Sequence, residues 1–194
     1  MAVRQCLLIF ICLSALLGST LAASGATSIY SLLQSKRDYT FTVQSIELAN
    51  LTDVYNSSVL GFTFLASNDT AWKQSRANVT GALSAAKQNV TGAIAFLERL
   101  IAASTVNKTV EFSKLSSGTK EVVSLAGLPL NFTKNSTGDF VEGDPVSAAD
   151  VKAGKSVVQF LEFLLVPPAP TPVSTPTSPT SAATTAAPTA VATK

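Results

Sequence analysis

Asparagine is the residue whose placement carries the clearest chemistry. The eight asparagines of the chain, Asn50, Asn56, Asn68, Asn78, Asn89, Asn107, Asn131 and Asn135, each begin an Asn-X-Ser/Thr triplet in which X is not proline. That triplet accepts an oligosaccharide on its side-chain amide during export, and the bulky, hydrated product requires a surface position. A triplet at every asparagine is no accident of composition. All eight are N-glycosylation candidates, those at turns foremost.

The other reactive side chains narrow the chemistry by what they exclude. Histidine is absent, and both cysteines, Cys6 and Cys12, fall within the first 26 residues. Without imidazole or thiol, Ser-His-Asp and Cys-His catalysis lose an essential member and the usual zinc ligands are missing. No glycine-rich phosphate loop follows a strand-like run. Asp139, Glu142, Asp144 and Asp150 form an acidic stretch, but without the ligand spacing of a calcium loop they read as a solvated turn. No catalytic residue, cofactor site or metal ligand is assigned, and no cofactor is expected. A formal charge of +2, with no cluster of Lys or Arg, argues against nucleic acid as a partner.

Three segments position these residues. Arg4 followed by the apolar run Cys6 to Leu17 and then small residues reads as an export signal over residues 1–26, cleaved after Ala22 or Ala26. From Pro167 the chain uses almost only Pro, Thr, Ser, Ala and Val; residues 169–194 read as a disordered, extended tail whose hydroxyls suit O-glycosylation. That tail lacks the terminal apolar run a lipid anchor needs, so no stable membrane insertion is expected after signal cleavage. Between them, residues 27–168 are long enough to bury a core without disulfides.

Within that domain the first part reads as helical. Ser28 can cap a helix from Ile29, and Tyr39, Val43 and Ile46 recur at helical intervals. Gly61 to Ala66 has strand character, and Asn68-Asp69 can cap a short helix through Trp72. Val79, Leu83, Ala86, Val90, Ile94, Leu97 and Ile101 then follow a spacing of three to four, with a break near Asn89 to Gly92. Strands are predicted at 109–112, 121–125, 128–132 and 139–141, punctuated by Gly118, Gly127, Gly138 and Gly143. The nearly continuous apolar run Val157 to Leu165 predicts a strand buried on both faces. Helices first and strands afterwards give an α+β class.

This order of segments resembles the fasciclin-like (FAS1) domain over about residues 27–168. Leu65-Ala66-Ser67-Asn68-Asp69-Thr70-Ala71-Trp72 is similar to that family's first box, and Leu125 to Leu130 to its Leu-X-Gly turn at Gly127. Val157 to Pro168 resembles its closing box, with Gln159 where the family usually has His and Glu162 in place of its Asp. Ile101-Ala102 stands where a Tyr-His pair, associated with receptor contacts in animal members, is expected. The resemblance implies one domain with N-terminal helices packed on a mixed, mainly antiparallel sheet or wedge. In it Asp69, Trp72, Gly127, Gln159 and Glu162 play structural parts, Trp72 in the core. The tail is similar to that of fasciclin-like arabinogalactan proteins.

The implied function is adhesion: a secreted matrix or cell-wall glycoprotein contacting extracellular proteins or polysaccharides without catalysis. Two other readings stay open. A groove between helices and sheet would suit a small-ligand or lipid carrier. A carboxylate pair in an open groove, for which Asp69 and Glu162 are the candidates, would suit glycoside hydrolysis.

Overall fold

The computed structural model describes residues 28–75 and 79–168. The expected export signal, the Pro/Thr/Ser/Ala tail and the candidate Asn78 lie outside the described residues.

The helical half starts where its polar residues dictate. Ser28 Oγ accepts from the Ser31 amide and Ser31 Oγ from the Ser28 amide, a reciprocal box that opens α1 (Ile29–Gln34). A 3-10 turn (Arg37–Tyr39) leads into α2 (Thr40–Leu48) and α3 (Thr52–Tyr55). After β1 (Thr63–Ser67), Asn68 caps α4 (Asp69–Gln74), its Oδ1 accepting from the Ala71 amide. Next come α5 (Val79–Lys87) and α6 (Thr91–Ala103), parted at Asn89, whose left-handed backbone (φ 59°) turns the chain where a break was expected.

The remaining elements are strands: β2 (Thr105–Val106), β3 (Gly118–Val123), β4 (Pro129–Asn135), β5 (Gly138–Val141), β6 (Asp144–Ala153) and β7 (Ser156–Leu161). They join β1 in one seven-stranded sheet of order β2-β1-β7-β6-β5-β4-β3. The β1–β7 pair is parallel and every other neighbour antiparallel. The architecture is therefore the expected α+β fold, with helices on a mixed, mainly antiparallel sheet.

Strand β7 holds the molecule together because it serves two cores. All six of its residues are buried between β1 and β6. Val158 and Phe160 join Phe64 and Ala66 of β1 in the core beneath the helices, with Ile29, Ile46, Trp72, Leu97 and Ile101. Leu161, from the other face, joins Leu65 in a second core with Val106, Phe112, Val122, Leu130 and Phe132. Period-two alternation into two apolar layers is why this strand reads as one unbroken hydrophobic run.

Three expectations are corrected. The strand predicted at 109–112 is a loop ending in a 3-10 turn (Phe112–Lys114). Its amides are claimed by side chains instead of a ladder: Val110 N donates to Thr63 Oγ1, and Phe112 N and Ser113 N to the Asp150 carboxylate. The closing strand stops at Leu161, four residues short of Leu165. Beyond it Ser67 Oγ donates to the Phe163 carbonyl, and Arg99 Nη2 on α6 reaches the Pro168 carbonyl. The acidic stretch is no solvated turn throughout. Glu142 (φ 54°) and Gly143 (φ 89°) make a turn, but Asp144 to Ala153 is a ten-residue strand whose two register shifts hide its periodicity.

Candidate functional site

Asp69 sits in the first turn of α4, whose own cap is Asn68. Its Oδ1 accepts from the Phe41 amide at 2.9 Å, in the first turn of α2. Helix α2 begins after Tyr39, which supplies no side-chain cap of its own. Asp69 therefore caps a neighbouring helix, satisfying one of its orphan amides and placing a negative charge at its positive end. Trp72, one turn on, is buried, and its indole Nε1 donates to Thr42 Oγ1, which donates in turn to the Ser67 carbonyl. The first box thus ties α2, α4 and the end of β1 together.

Gln159 occupies the buried centre of β7. Its Nε2 donates to the Val110 carbonyl and to Asp150 Oδ1, while its Oε1 accepts from the Asp150 amide. Burial opposes ionisation of Asp150, but the bonds from Gln159, Ser113 and Phe112 outweigh it and hold the carboxyl below its ordinary value. The amide at position 159 is thus the hub that anchors the 110–114 loop to β6 and β7. Among the described residues no buried side-chain nitrogen or oxygen lacks a partner.

Glu162 is exposed just past the end of β7. Tyr39, packed edge-on against Phe160 at 4.8 Å, has its hydroxyl pushed up by burial and, more weakly, by the carboxylates of Asp38, Glu162 and Asp69, against a contact with Ser147. Asp69 is already committed to the Phe41 amide. Gly127 (φ 78°) completes the β3–β4 turn, donating its amide to the Ser124 carbonyl. Next to it, Leu125 N and Ala126 N donate to the carbonyls of Thr105 and Ala102, so the Ile101-Ala102 position is buried under this turn.

The seven described sequon asparagines are all accessible. Asn50, Asn56, Asn89, Asn107 and Asn135 are exposed, and Asn68 and Asn131 half-buried. Asn50 (φ 55°) and Asn89 occupy left-handed turns, which asparagine tolerates better than other side chains with a Cβ. Asn68 and Asn135 use only Oδ1 in their local bonds, accepting from Ala71 N and from Thr137 and Gly138. Among the described residues nothing bonds to their amide nitrogens, where a sugar would attach.

A feature that sequence reasoning missed is a cavity of about 300 Å³ lined by Lys114, Ser116, Ser117, Thr119 and Lys120 with neighbouring residues. Its walls are hydroxyls and ammonium groups, unlike the apolar groove a lipid carrier would need. The lining is one consecutive stretch, 114–120, that includes Leu115 and Gly118; what the sequence did not show is how that stretch bends, and that the loop before it is anchored by the distant Asp150.

Helices over a mixed, mainly antiparallel sheet define an α+β domain in which Asn68, Asp69 and Gln159 bond to neighbouring elements. The family model described as the fasciclin domain matches residues 37–167, and the chain belongs to that family. Domains of this family are generally non-catalytic modules of cell-adhesion and extracellular-matrix proteins, typically extracellular or at the cell surface, and they mediate protein interactions. Among solved structures, the chain is similar to a FAS1 domain pair from the insect cell adhesion molecule fasciclin I, with 14% identity and a TM-score of 0.59. That match covers 73% of this chain and 51% of the other, so this chain spans about half the length of that pair. No curated protein matches the chain. Among the described residues no helix is long and apolar enough to cross a membrane.

Proposed function

We propose that this chain is a secreted glycoprotein whose fasciclin domain acts as an adhesion or matrix module, contacting extracellular proteins or polysaccharides of a matrix or cell wall without catalysis. The observation that carries the reading is the saturation of asparagine by sequons, together with the accessibility of every described one. Glycans at these positions would hydrate the domain, and the Pro/Thr/Ser/Ala segment would hold it away from its point of attachment. The bond from the Phe41 amide to Asp69 supports a structural role for that carboxylate. The test is expression with the native N-terminus in a eukaryotic secretory host. The chain is expected in the medium, starting near Ala23 or Thr27, with an intact mass that drops by several glycan units after enzymatic release. It should also be retained on matrix or wall fractions and show no hydrolysis in a broad glycosidase screen. A chain that keeps Met1 and loses no mass, or turnover that vanishes in Asp69→Asn, refutes the reading.

A further inference from the structure

We propose that the cavity at Lys114 to Lys120 is a subsite for an anionic saccharide, a hexuronate or sulfated unit of an extracellular polysaccharide. The proposal rests on the adhesion reading and names the ligand chemistry of one of its surfaces.

The ammonium groups of Lys114 and Lys120 line the cavity, and those of Lys134 and Lys152 bond to Phe112 and Glu111 in the preceding loop. Glu111 Oε1 takes Lys114 Nζ at 2.8 Å and its Oε2 takes Lys152 Nζ at 2.7 Å, which leaves both lysine side chains largely exposed, at 73% and 56%. Lys134 Nζ donates to the Phe112 carbonyl at 2.7 Å. Lys120, on edge strand β3, lines the cavity and has no carboxylate partner among the described residues. The charged side chains of the lining are Lys114 and Lys120, both cationic, while the carboxylates of Glu111 and Asp150 belong to the preceding loop and its anchor; that loop is fixed from behind by Asp150 and Gln159. The hydroxyls of Ser116 and Ser117 complete the lining. Protein interfaces centre on aromatic and apolar anchors. Here the wall offers hydroxyl and ammonium groups, the complement of a sugar that carries both hydroxyls and a carboxylate or sulfate.

The experiment measures binding of the full secreted chain to immobilised polygalacturonate, dextran sulfate, neutral dextran and polyglutamate, at about 50 and about 200 mM salt. Binding is expected to polygalacturonate, dextran sulfate or both, weakened by salt, with none to neutral dextran; the preferred polymer tells carboxylate from sulfate. Lys114→Gln with Lys120→Gln should weaken it at least about tenfold at an unchanged melting temperature, as does the loss of two partly exposed ion pairs. The single change Lys120→Glu should weaken it in the same direction, and Lys87→Gln on α5 should not. Failure to bind either anionic polysaccharide, or indifference to the lysine changes, overturns the subsite. Equal binding to polyglutamate overturns it in favour of an acidic protein partner. If the anionic polymers fail but the wild type is still retained on matrix or wall material, the subsite falls and the adhesion reading stands; if both fail, both fall.

Discussion

Asp69 joins two helices through a single oxygen, so its substitution separates hydrogen bonding from charge. Asp69→Ala removes the acceptor from the Phe41 amide and should lower stability by about 0.5–2 kcal/mol in urea unfolding. Asp69→Asn keeps an amide oxygen in place and should cost less; equal losses would mean that the bond is not what Asp69 contributes. Gln159 makes a harsher case, because Gln159→Leu leaves the buried Val110 carbonyl and the half-buried Asp150 amide without their partner. An unpaired buried group costs about 1–3 kcal/mol, so at least about 1 kcal/mol should be lost. The same network predicts a pH dependence. The Asp150 carboxyl lies below its ordinary value of 3.8 in the folded state, so its contribution is fully present above that pH and is lost as pH falls through the folded value. Asp150→Asn should flatten this acid limb of the stability curve, and an unchanged limb would contradict the network.

Between elements, the turn from β6 to β7 is the tightest join. Gly154 has φ 64° and lies against the Ser58 backbone, so a Cβ there would collide with the Ser58 carbonyl oxygen and Cα. Gly154→Ala should cost about 2–4 kcal/mol by strain and overpacking. Gly127→Ala, at φ 78° with open space around it, should cost only about 1–2 kcal/mol from the left-handed backbone; thermal unfolding that ranks the two the other way would contradict the packing. What the sequence made legible follows the same division. β7 and the helix break at Asn89 were readable because an apolar run and a turn residue are local signals. β6 was not, because its bulges break the alternation that marks a strand. The 109–112 segment misled for a related reason: its β-branched and aromatic residues suit a strand, but its amides go to Thr63 and Asp150, distant in sequence. The cap made by Asp69 on α2 was equally hidden, since it exists only once remote segments meet.

For the molecule as a whole, β7 joins the core beneath the helices to the second core, and the described sequons sit at accessible positions. A contact face preformed by packed elements loses little freedom on association. Asn50, Asn89, Asn107 and Asn135 are exposed and themselves belong to neither core, so sugar attached there would add hydration without disturbing the packing. The most direct measurement of this account is co-sedimentation of the secreted full chain with insoluble matrix or cell-wall material, run beside the same protein after thermal unfolding. The account predicts that the native chain is depleted from the supernatant in a saturable manner and that unfolding abolishes that depletion. A native chain that stays in solution at every concentration of matrix, while keeping its cooperative melting transition, would contradict it.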